Sequence, residues 1–172
     1  MLETERLAFR RFTIDDLDKL IELRSDEEVI RYLGGNRLQN PEAIEKRLRA
    51  YIDSYEKYGY GVCATIWKKT GEMIGWSGLM PLEEMNETEV GYGMIKNFWR
   101  MGIGYESAIG WLKYAFETVG LERIVALSIP ENVGSWRIME KCGMKYEKNV
   151  VHFGSECLLY AISKEEFYRL NK

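Results

Sequence analysis

Two glycines near the start of a predicted helix, Gly102 and Gly104, are the first residues whose spacing could do chemistry. They separate an alternating, β-rich segment at 89–95 from an amphipathic helical pattern. The first turn of a helix leaves backbone N–H groups without helical partners, and these groups attract phosphate together with the helix dipole. The pattern predicts an anion site at this turn, although a Gly-x-Gly pair also occurs in turns that bind nothing.

A second polar pair stands at the start of another predicted helix. Asn132 follows Pro130-Glu131, and Ser135 lies three residues later, so both side chains share one helical face. Asn132 is suited to cap this helix. Ser135 either contacts a ligand or is an ordinary residue of the first turn, and the spacing is compatible with both.

Four glutamates precede the glycine turn without an intervening Lys or Arg: Glu83, Glu84, Glu87 and Glu89. A local negative patch attracts a cationic amine if it borders a binding channel. Exposed glutamates are also common on ordinary surfaces. The pattern alone does not separate these two interpretations.

The composition limits the class of protein. The chain has 172 residues, 46% apolar and 30% charged, which predicts one globular domain over residues 1–172. It has no run of 18 apolar residues and no signal-peptide core at 1–6, so we expect no membrane association and a cytoplasmic location. Three dispersed cysteines and a single histidine, His152, argue against disulfides and metal sites. A net charge of −3 argues against nucleic acid as a partner.

The elements that must position these residues are predicted to form an α/β (α+β) domain around one mixed sheet. The predicted strands cover residues 6–12, 61–67, 73–80, 89–95, 123–129, 144–153 and 156–162. Predicted helices begin after Thr13, at Pro41, near Gly104 (ending near Thr118), at Val133 and after Ser163.

Several motifs, in this order and at these distances, resemble the GNAT acetyltransferases over essentially the whole chain. They are Thr4-Glu5-Arg6-Leu7, Glu-Val-Gly-Tyr at 89–92, Trp-x-x-Gly-x-Gly at 99–104, Glu-Asn-x-x-Ser at 131–135 and Lys-x-Gly-Met at 141–144. The chain is most similar to the branch that acetylates the N-termini of ribosomal proteins. The resemblance implies a GNAT-like, mostly antiparallel sheet of about seven strands flanked by helices.

The resemblance implies acetyl-CoA as co-substrate and no metal. In the family, backbone amides of the glycine turn hold the pyrophosphate, and the preceding strand carries the pantetheine arm along its open edge. Gly91 and Gly93 are expected to permit that close approach. The implied donor-binding residues are Tyr92, Gly93, Met94, Ile95, Arg100, Met101, Gly102, Ile103, Gly104, Tyr105, Asn132 and Ser135.

Two catalytic residues are expected: Ser135 is implied by the resemblance, and Glu89 is chosen because it stands at the start of the donor-facing strand. A serine at this position can hydrogen-bond the CoA sulfur and protonate the thiolate, a weak base whose conjugate acid has a pKa of about 8.5. Only a neutral amine attacks a thioester, so a carboxylate or a water chain must accept its proton. Glu89 is the first candidate for this base and Glu87 is the second.

The acceptor is expected to be a primary amine of a small molecule or a peptide. The acceptor pocket is expected to involve Arg31, Tyr32, Leu33 and Glu87. The branch favours a protein or peptide N-terminal α-amine. A polyamine or antibiotic amine, and a non-catalytic acyl-CoA sensor, are the alternatives.

Direct attack in a ternary complex is expected. A covalent acyl intermediate on Cys142 would need an activating base, and the sequence offers none. A homodimer is left open.

Overall fold

A computed structural model of the chain describes residues 2–33, 40–152 and 154–170. Seven strands form one sheet in the order β1-β2-β3-β4-β5-β7-β6. Neighbouring strands are antiparallel except for β4 and β5, which are parallel. The strands are β1 Leu7–Arg11, β2 Val62–Trp67, β3 Glu72–Leu82, β4 Glu87–Met94, β5 Arg123–Ser128, β6 Lys145–His152 and β7 Ser155–Ser163. The predicted fold class is confirmed.

Six α-helices accompany the sheet in the described part of the chain: α1 Leu17–Leu23, α2 Glu27–Arg31, α3 Pro41–Tyr58, α4 Ile103–Tyr114, α5 Val133–Lys141 and α6 Lys164–Leu170. α4 ends earlier than predicted and continues as a π-helical turn over Ala115–Val119. Phe153, which was expected to end the sixth strand, lies outside the described residues.

Local signals set the helix ends. The Asn40 Oδ1 atom accepts a hydrogen bond from the Ala43 N–H at 2.8 Å and so caps α3. Gly143 has a φ of 86°, the left-handed conformation that glycine adopts readily after a helix. Such interactions span only a few residues, which is why the sequence predicts them well.

The helices cover both faces of the sheet. α1 and α3 pack on β2 and β3, whereas α4 packs on β3 and β4 and α5 packs on β5. Alternate residues of β2 belong to the two cores: Val62 and Ala64 join the cluster under α1 and α3, and Cys63 joins the cluster under α4. The sheet is therefore held in position by helices packed on both of its faces.

One irregularity of the sheet opens a site. β4 and β5 are adjacent, yet their parallel register holds only the pair Glu89 and Val125. The other edge of β4 is bonded to β3 along its whole length. From Val90 onward, β4 and β5 separate, and the β4 edge that faces β5 has no ladder partner among the described strands.

We predict that Gly93→Ala destabilises the fold. A Cβ atom at position 93 would lie 2.2 Å from Cζ2 of Trp76, whose ring is buried in the sheet core. Overpacking of this kind typically costs about 1–3 kcal/mol. The midpoint of urea unfolding should therefore fall. Gly91→Ala is the matched control, because a Cβ there meets no atom within 4 Å, and equal midpoints for the two variants would contradict the packing argument.

Candidate active site

A cleft of about 190 Å³ lies where β4 and β5 separate. It brings together Glu89 and Tyr92 of β4 with Asn132 and Ser135 at the start of α5, two separate parts of the sequence. Its other described lining residues are Arg24, Tyr32, Leu33, Arg47, Tyr51, Val62, Trp76, Met80, Val90, Gly91, Leu127, Ser128, Ile129, Met139, His152, Ser155 and Cys157.

Glu89 is buried in this cleft, with 8% of its surface exposed. Its Oε1 atom accepts a hydrogen bond from the Leu127 N–H at 3.3 Å. Burial raises the pKa of Glu89 to about 7, and the Leu127 N–H and the charge of Arg47 oppose the shift only in part. A carboxylate of this pKa changes its protonation near neutral pH, as a general base must.

The start of α5 is attached to β4 by polar contacts. The Tyr92 hydroxyl donates to the Ser135 carbonyl oxygen at 3.1 Å and lies 3.4 Å from Ser135 Oγ. The Asn132 Oδ1 atom accepts from the Ser135 N–H at 3.2 Å, so Asn132 caps the helix as predicted. Its Nδ2 group carries two further donors, so the cap is compatible with contact to a ligand.

The glycine turn before α4 has the backbone form of an anion site. Arg100 and Gly102 have positive φ values of 61° and 78°, and Ile103 begins the helix. No side chain caps α4, since its N-cap residue is Gly102. The N–H groups of the first turn are therefore open to an anion, and alternation of left-handed with other backbone conformations forms a concave amide cradle. These residues fit the pyrophosphate of CoA.

The N-terminal segment supports this turn, a role that sequence reasoning did not give it. Glu106 in α4 accepts hydrogen bonds from Thr4 Oγ1 at 2.6 Å, from the Arg6 N–H at 2.8 Å and from Arg6 Nε at 2.6 Å. Arg6 Nη1 also donates to the Met101 carbonyl oxygen at 3.0 Å. The signal in the sequence was Glu106, a carboxylate in the first turn of a predicted phosphate-binding helix. Its negative charge has to be offset by a cation if this helix start is to bind phosphate.

The other predicted donor residues differ in what they can offer. The side chains of Met94 and Ile103 are buried in the core, so only their backbones are available. Ile95 packs against both cores. The absence of a side chain at Gly93 accommodates Trp76, not the pantetheine arm, whereas Gly91 borders open space. The Tyr105 ring is covered by Lys141 Nζ at 4.4 Å from the ring centroid.

Two of the four predicted acceptor residues lie in the cleft. Tyr32 and Leu33 line it, whereas Arg31 is exposed on α2 and lies outside the lining. Glu87 is also outside, because its carboxylate is bound by Arg123 Nε at 3.0 Å. The structure therefore gives no support to Glu87 as an acceptor contact or as the second candidate base.

The expected negative patch is not a feature of the cleft. Glu83 is exposed and bonds with Lys57 and Tyr58, and Glu87 is paired with Arg123. Among the described residues that line the cleft, Glu89 is the one carboxylate. The described lining of the cleft therefore holds one buried glutamate, Glu89, and not a patch of four glutamates that would attract a cationic amine.

Sequence reasoning missed several polar residues of the cleft, among them Arg24, Arg47, Tyr51 and His152. Arg24 is 2% exposed, and its guanidinium lies 4.3 Å from the centroid of the Trp76 ring. The signal was a charged residue on an apolar stripe: Arg24 follows Leu20 by four positions, and Arg47 follows Ile44 by three. His152 has a pKa below its usual value, chiefly because it is partly buried.

The cysteines near the site are not activated. Burial raises the pKa of Cys142 to about 12 and also raises the pKa of Cys157, which lines the cleft. Both thiols are protonated at neutral pH, whereas the thiolate is the nucleophile. This chemistry supports direct attack by the acceptor over a covalent acyl-cysteine.

The described residues contain no group of three or more His, Cys, Asp or Glu side chains able to hold a metal ion. Within the same residues, no helix has the length and apolar character needed to cross a membrane.

Comparison with known proteins identifies the family. Residues 6–145 match the family model described as the acetyltransferase (GNAT) domain. The N-acetyltransferase YoaA of Bacillus subtilis is 32% identical over 152 residues, which cover 86% of this chain and 84% of YoaA.

Solved structures agree with the fold. A GNAT-family acetyltransferase from Bacillus anthracis superposes with a TM-score of 0.78 at 25% identity, covering 95% of this chain and 98% of the other. The aminoglycoside acetyltransferase AAC(6')-Ib, solved in complex with coenzyme A, has a TM-score of 0.80 at 14% identity, covering 96% and 99%. The chain thus belongs to the GNAT family and is an acetyl-CoA-dependent N-acetyltransferase.

Proposed function

We propose that this acetyltransferase moves the acetyl group directly to a primary amine in a ternary complex, with Glu89 as general base and Ser135 beside the leaving sulfur. The observation that carries the proposal is a buried glutamate with a pKa of about 7 in the same cleft as Ser135. A carboxylate of raised pKa in a cleft beside Ser135 is suited to accept a proton from an amine.

Each residue has a defined task in this proposal. Acetyl-CoA supplies the acetyl group, whose C–S bond breaks as the bond from the amine nitrogen to the carbonyl carbon forms. Glu89 accepts the proton that the amine loses, directly or through one water. The Ser135 hydroxyl donates to the departing thiolate. Tyr92 holds Ser135 in place through its bond to the Ser135 carbonyl oxygen.

The donor would be held by backbone groups over most of its length. The first-turn amides of α4, with Arg100, Met101, Gly102 and Gly104, are assigned to the pyrophosphate. The pantetheine arm is assigned to the unpaired edge of β4 from Tyr92 to Met94 and to Ile95, the residue that follows the strand. Asn132 and Ser135 contact the end near the thioester. The open edge of β4 and the uncapped start of α4 support this assignment.

An α-amine is the acceptor that best suits Glu89. An α-ammonium has a pKa of about 8. Transfer of its proton to a carboxylate of pKa about 7 is therefore unfavourable by only about one pKa unit. A lysine-like ammonium, with a pKa of about 10.4, would be uphill by about three units. We therefore favour a peptide N-terminal α-amine, consistent with the ribosomal-protein branch, over a polyamine or an antibiotic amine.

A non-catalytic acyl-CoA sensor is the alternative from another class. Tight binding of acetyl-CoA without acetyl transfer to any peptide, polyamine or aminoglycoside would favour the sensor. The buried Glu89 supports the enzyme, because a sensor has no need of a base in its cleft.

We predict that Glu89→Gln lowers kcat by about 10²–10⁴-fold, the usual contribution of a general base, and leaves the affinity for acetyl-CoA nearly unchanged. In the wild type, kcat/KM should rise with pH through an inflection near 7, where Glu89 of the free enzyme loses its proton. The variant should lack that inflection. The exposed Glu83→Gln serves as the control, and a Glu89→Gln enzyme with wild-type turnover at neutral pH would rule Glu89 out.

The stability of the same variant provides a readout that does not depend on turnover. Burial raises the pKa of Glu89 from 4.5 to about 7 in the folded state. The protonated carboxyl group therefore contributes to the free energy of unfolding at low pH, and this contribution is lost as pH rises from about 4.5 to about 7. Glu89→Gln should therefore raise the thermal midpoint relative to wild type at about pH 8 and leave it similar at about pH 4. A gain of the same size at both values would show that Glu89 does not titrate in this range.

We predict that Gly104→Glu weakens acetyl-CoA binding by at least about tenfold, since a carboxylate at the helix start competes with and repels the pyrophosphate. Binding should be measured by calorimetry. Gly104→Gln has nearly the same shape and isolates the charge, and Gly104→Ala needs only a small shift of the Ile138 methyl group that a Cβ would meet at 2.9 Å. Normal affinity in the Glu variant would refute the assignment of this turn to phosphate.

We predict that Arg6→Gln raises the KM for acetyl-CoA several-fold with little change in kcat, because Arg6 supports the Met101 carbonyl and Glu106 but lies outside the cleft. Steady-state kinetics at saturating acceptor would measure both constants. The remote surface variant Lys19→Gln, which removes only an exposed contact with Glu22, should behave as wild type. A fall in kcat at unchanged KM would argue against this supporting role.

A further inference from the structure

The acceptor side of the cleft has an unexpected balance of charge. Its described lining residues include two guanidinium groups, Arg24 and Arg47, and one carboxylate, Glu89. The imidazole of His152 has a lowered pKa and so is mostly neutral at neutral pH. These described lining residues therefore carry a formal charge of plus one when Glu89 is ionised, in a protein whose overall charge is −3. Glu84 lies outside the lining but is close enough for its charge to act on His152.

Both arginines are part of the cleft wall: Arg24 is buried and Arg47 is half-buried. Arg24 stands at the end of α1, is 2% exposed and stacks on Trp76. Arg47 lies on the inward face of α3 between Ile44 and Tyr51, and its Nε atom is buried. Two helices thus present guanidinium groups to one small cleft.

The charge of Arg47 acts on both the other guanidinium, Arg24, and the carboxylate of Glu89. Burial lowers the pKa of Arg24 to about 10; the Tyr51 hydroxyl opposes that change and the charge of Arg47 adds to it. The charge of Arg47 also acts on Glu89, whose pKa it lowers. Arg47 is therefore within electrostatic reach of both Arg24 and the carboxylate to which the amine must come. A second positive charge on an acceptor would be repelled here, and a negative one would be attracted.

We propose that Arg24 and Arg47 bind a carboxylate of the acceptor, so that the enzyme acts on an amine whose own molecule carries a carboxylate a few bonds away. The planar guanidinium group is suited to carboxylate recognition, because it donates two parallel hydrogen bonds. The acceptor would place its amine at Glu89 and its carboxylate at Arg47. This inference rests on the proposed amine acetylation. It narrows the acceptors to amines that also carry a carboxylate and excludes polyamines and other polycations.

Two sources of the carboxylate are distinguishable. A free amino acid carries it on the same carbon as the amine, and a peptide with an acidic first residue carries it on the side chain. The first source is tested with the standard amino acids, each beside its α-carboxamide. The second is tested with the peptide Asp-Ala-Ala-amide beside Asn-Ala-Ala-amide. Spermidine serves as the polycationic probe.

The expected result is that one carboxylate member exceeds its amide partner at least tenfold in kcat/KM, a difference of about 1.4 kcal/mol in transition-state binding. Calorimetric binding of the same pair to the enzyme loaded with CoA should show a similar ratio. Equal values within every pair, or a preference for spermidine, would overturn the proposal while leaving amine acetylation intact. If no probe of any charge were acetylated, the proposed function itself would fail.

Variants of Arg47 link the preference to the residue. Arg47→Gln should reduce the ratio between carboxylate and amide probes at least tenfold by raising KM for the carboxylate alone, and Arg47→Lys should retain part of it. Arg49→Gln is the matched control, because Arg49 lies on the same helix but is exposed and paired with Glu45. An Arg47→Gln enzyme that loses activity equally toward both probes would indicate a structural role only and would contradict carboxylate binding.

Discussion

The candidate active site depends on the separation of β4 from β5. The two strands are parallel neighbours that pair at Glu89 and Val125 and then part, which exposes one edge of β4 and leaves a cleft between them. If the ladder continued, backbone hydrogen bonds would occupy that edge and the cleft would close. The Glu89 side chain instead accepts the hydrogen bond from the Leu127 N–H, at the point where a strand partner has been lost.

Glu89 thus accepts a hydrogen bond from the Leu127 N–H and also has the raised pKa of a candidate base. Burial disfavours its charged form and raises its pKa to about 7, which carries a cost in stability above that pH. The same burial makes the carboxylate basic enough to take a proton from an amine. The two effects have one cause, so a variant that removes the charge is expected to lose turnover and gain stability. Proteins often tolerate such local strain at functional sites.

Much of the fold was predictable because its signals are local. Asn40 before Pro41, Gly143 after a helix, and Gly102 before another act over three or four residues, and the structure has a helix end at each of them. The glycine turn and the Asn132–Ser135 spacing were likewise visible in the sequence. The role of Gly93 was not, because its neighbour Trp76 lies on another strand.

What the sequence by itself determined is the order of the elements, the glycine turn before α4 and the polar start of α5. What only the tertiary structure decided is the character of the acceptor end. Glu87 and Glu89 are two residues apart on the same face of β4, yet Arg123 neutralises one and the cleft wall buries the other. Arg24 at the end of α1 and Arg47 on α3 both line the cleft, together with Trp76 and Tyr51. Burial and pairing depend on residues far apart in the chain, and spacing along one strand carries no information about what stands opposite it.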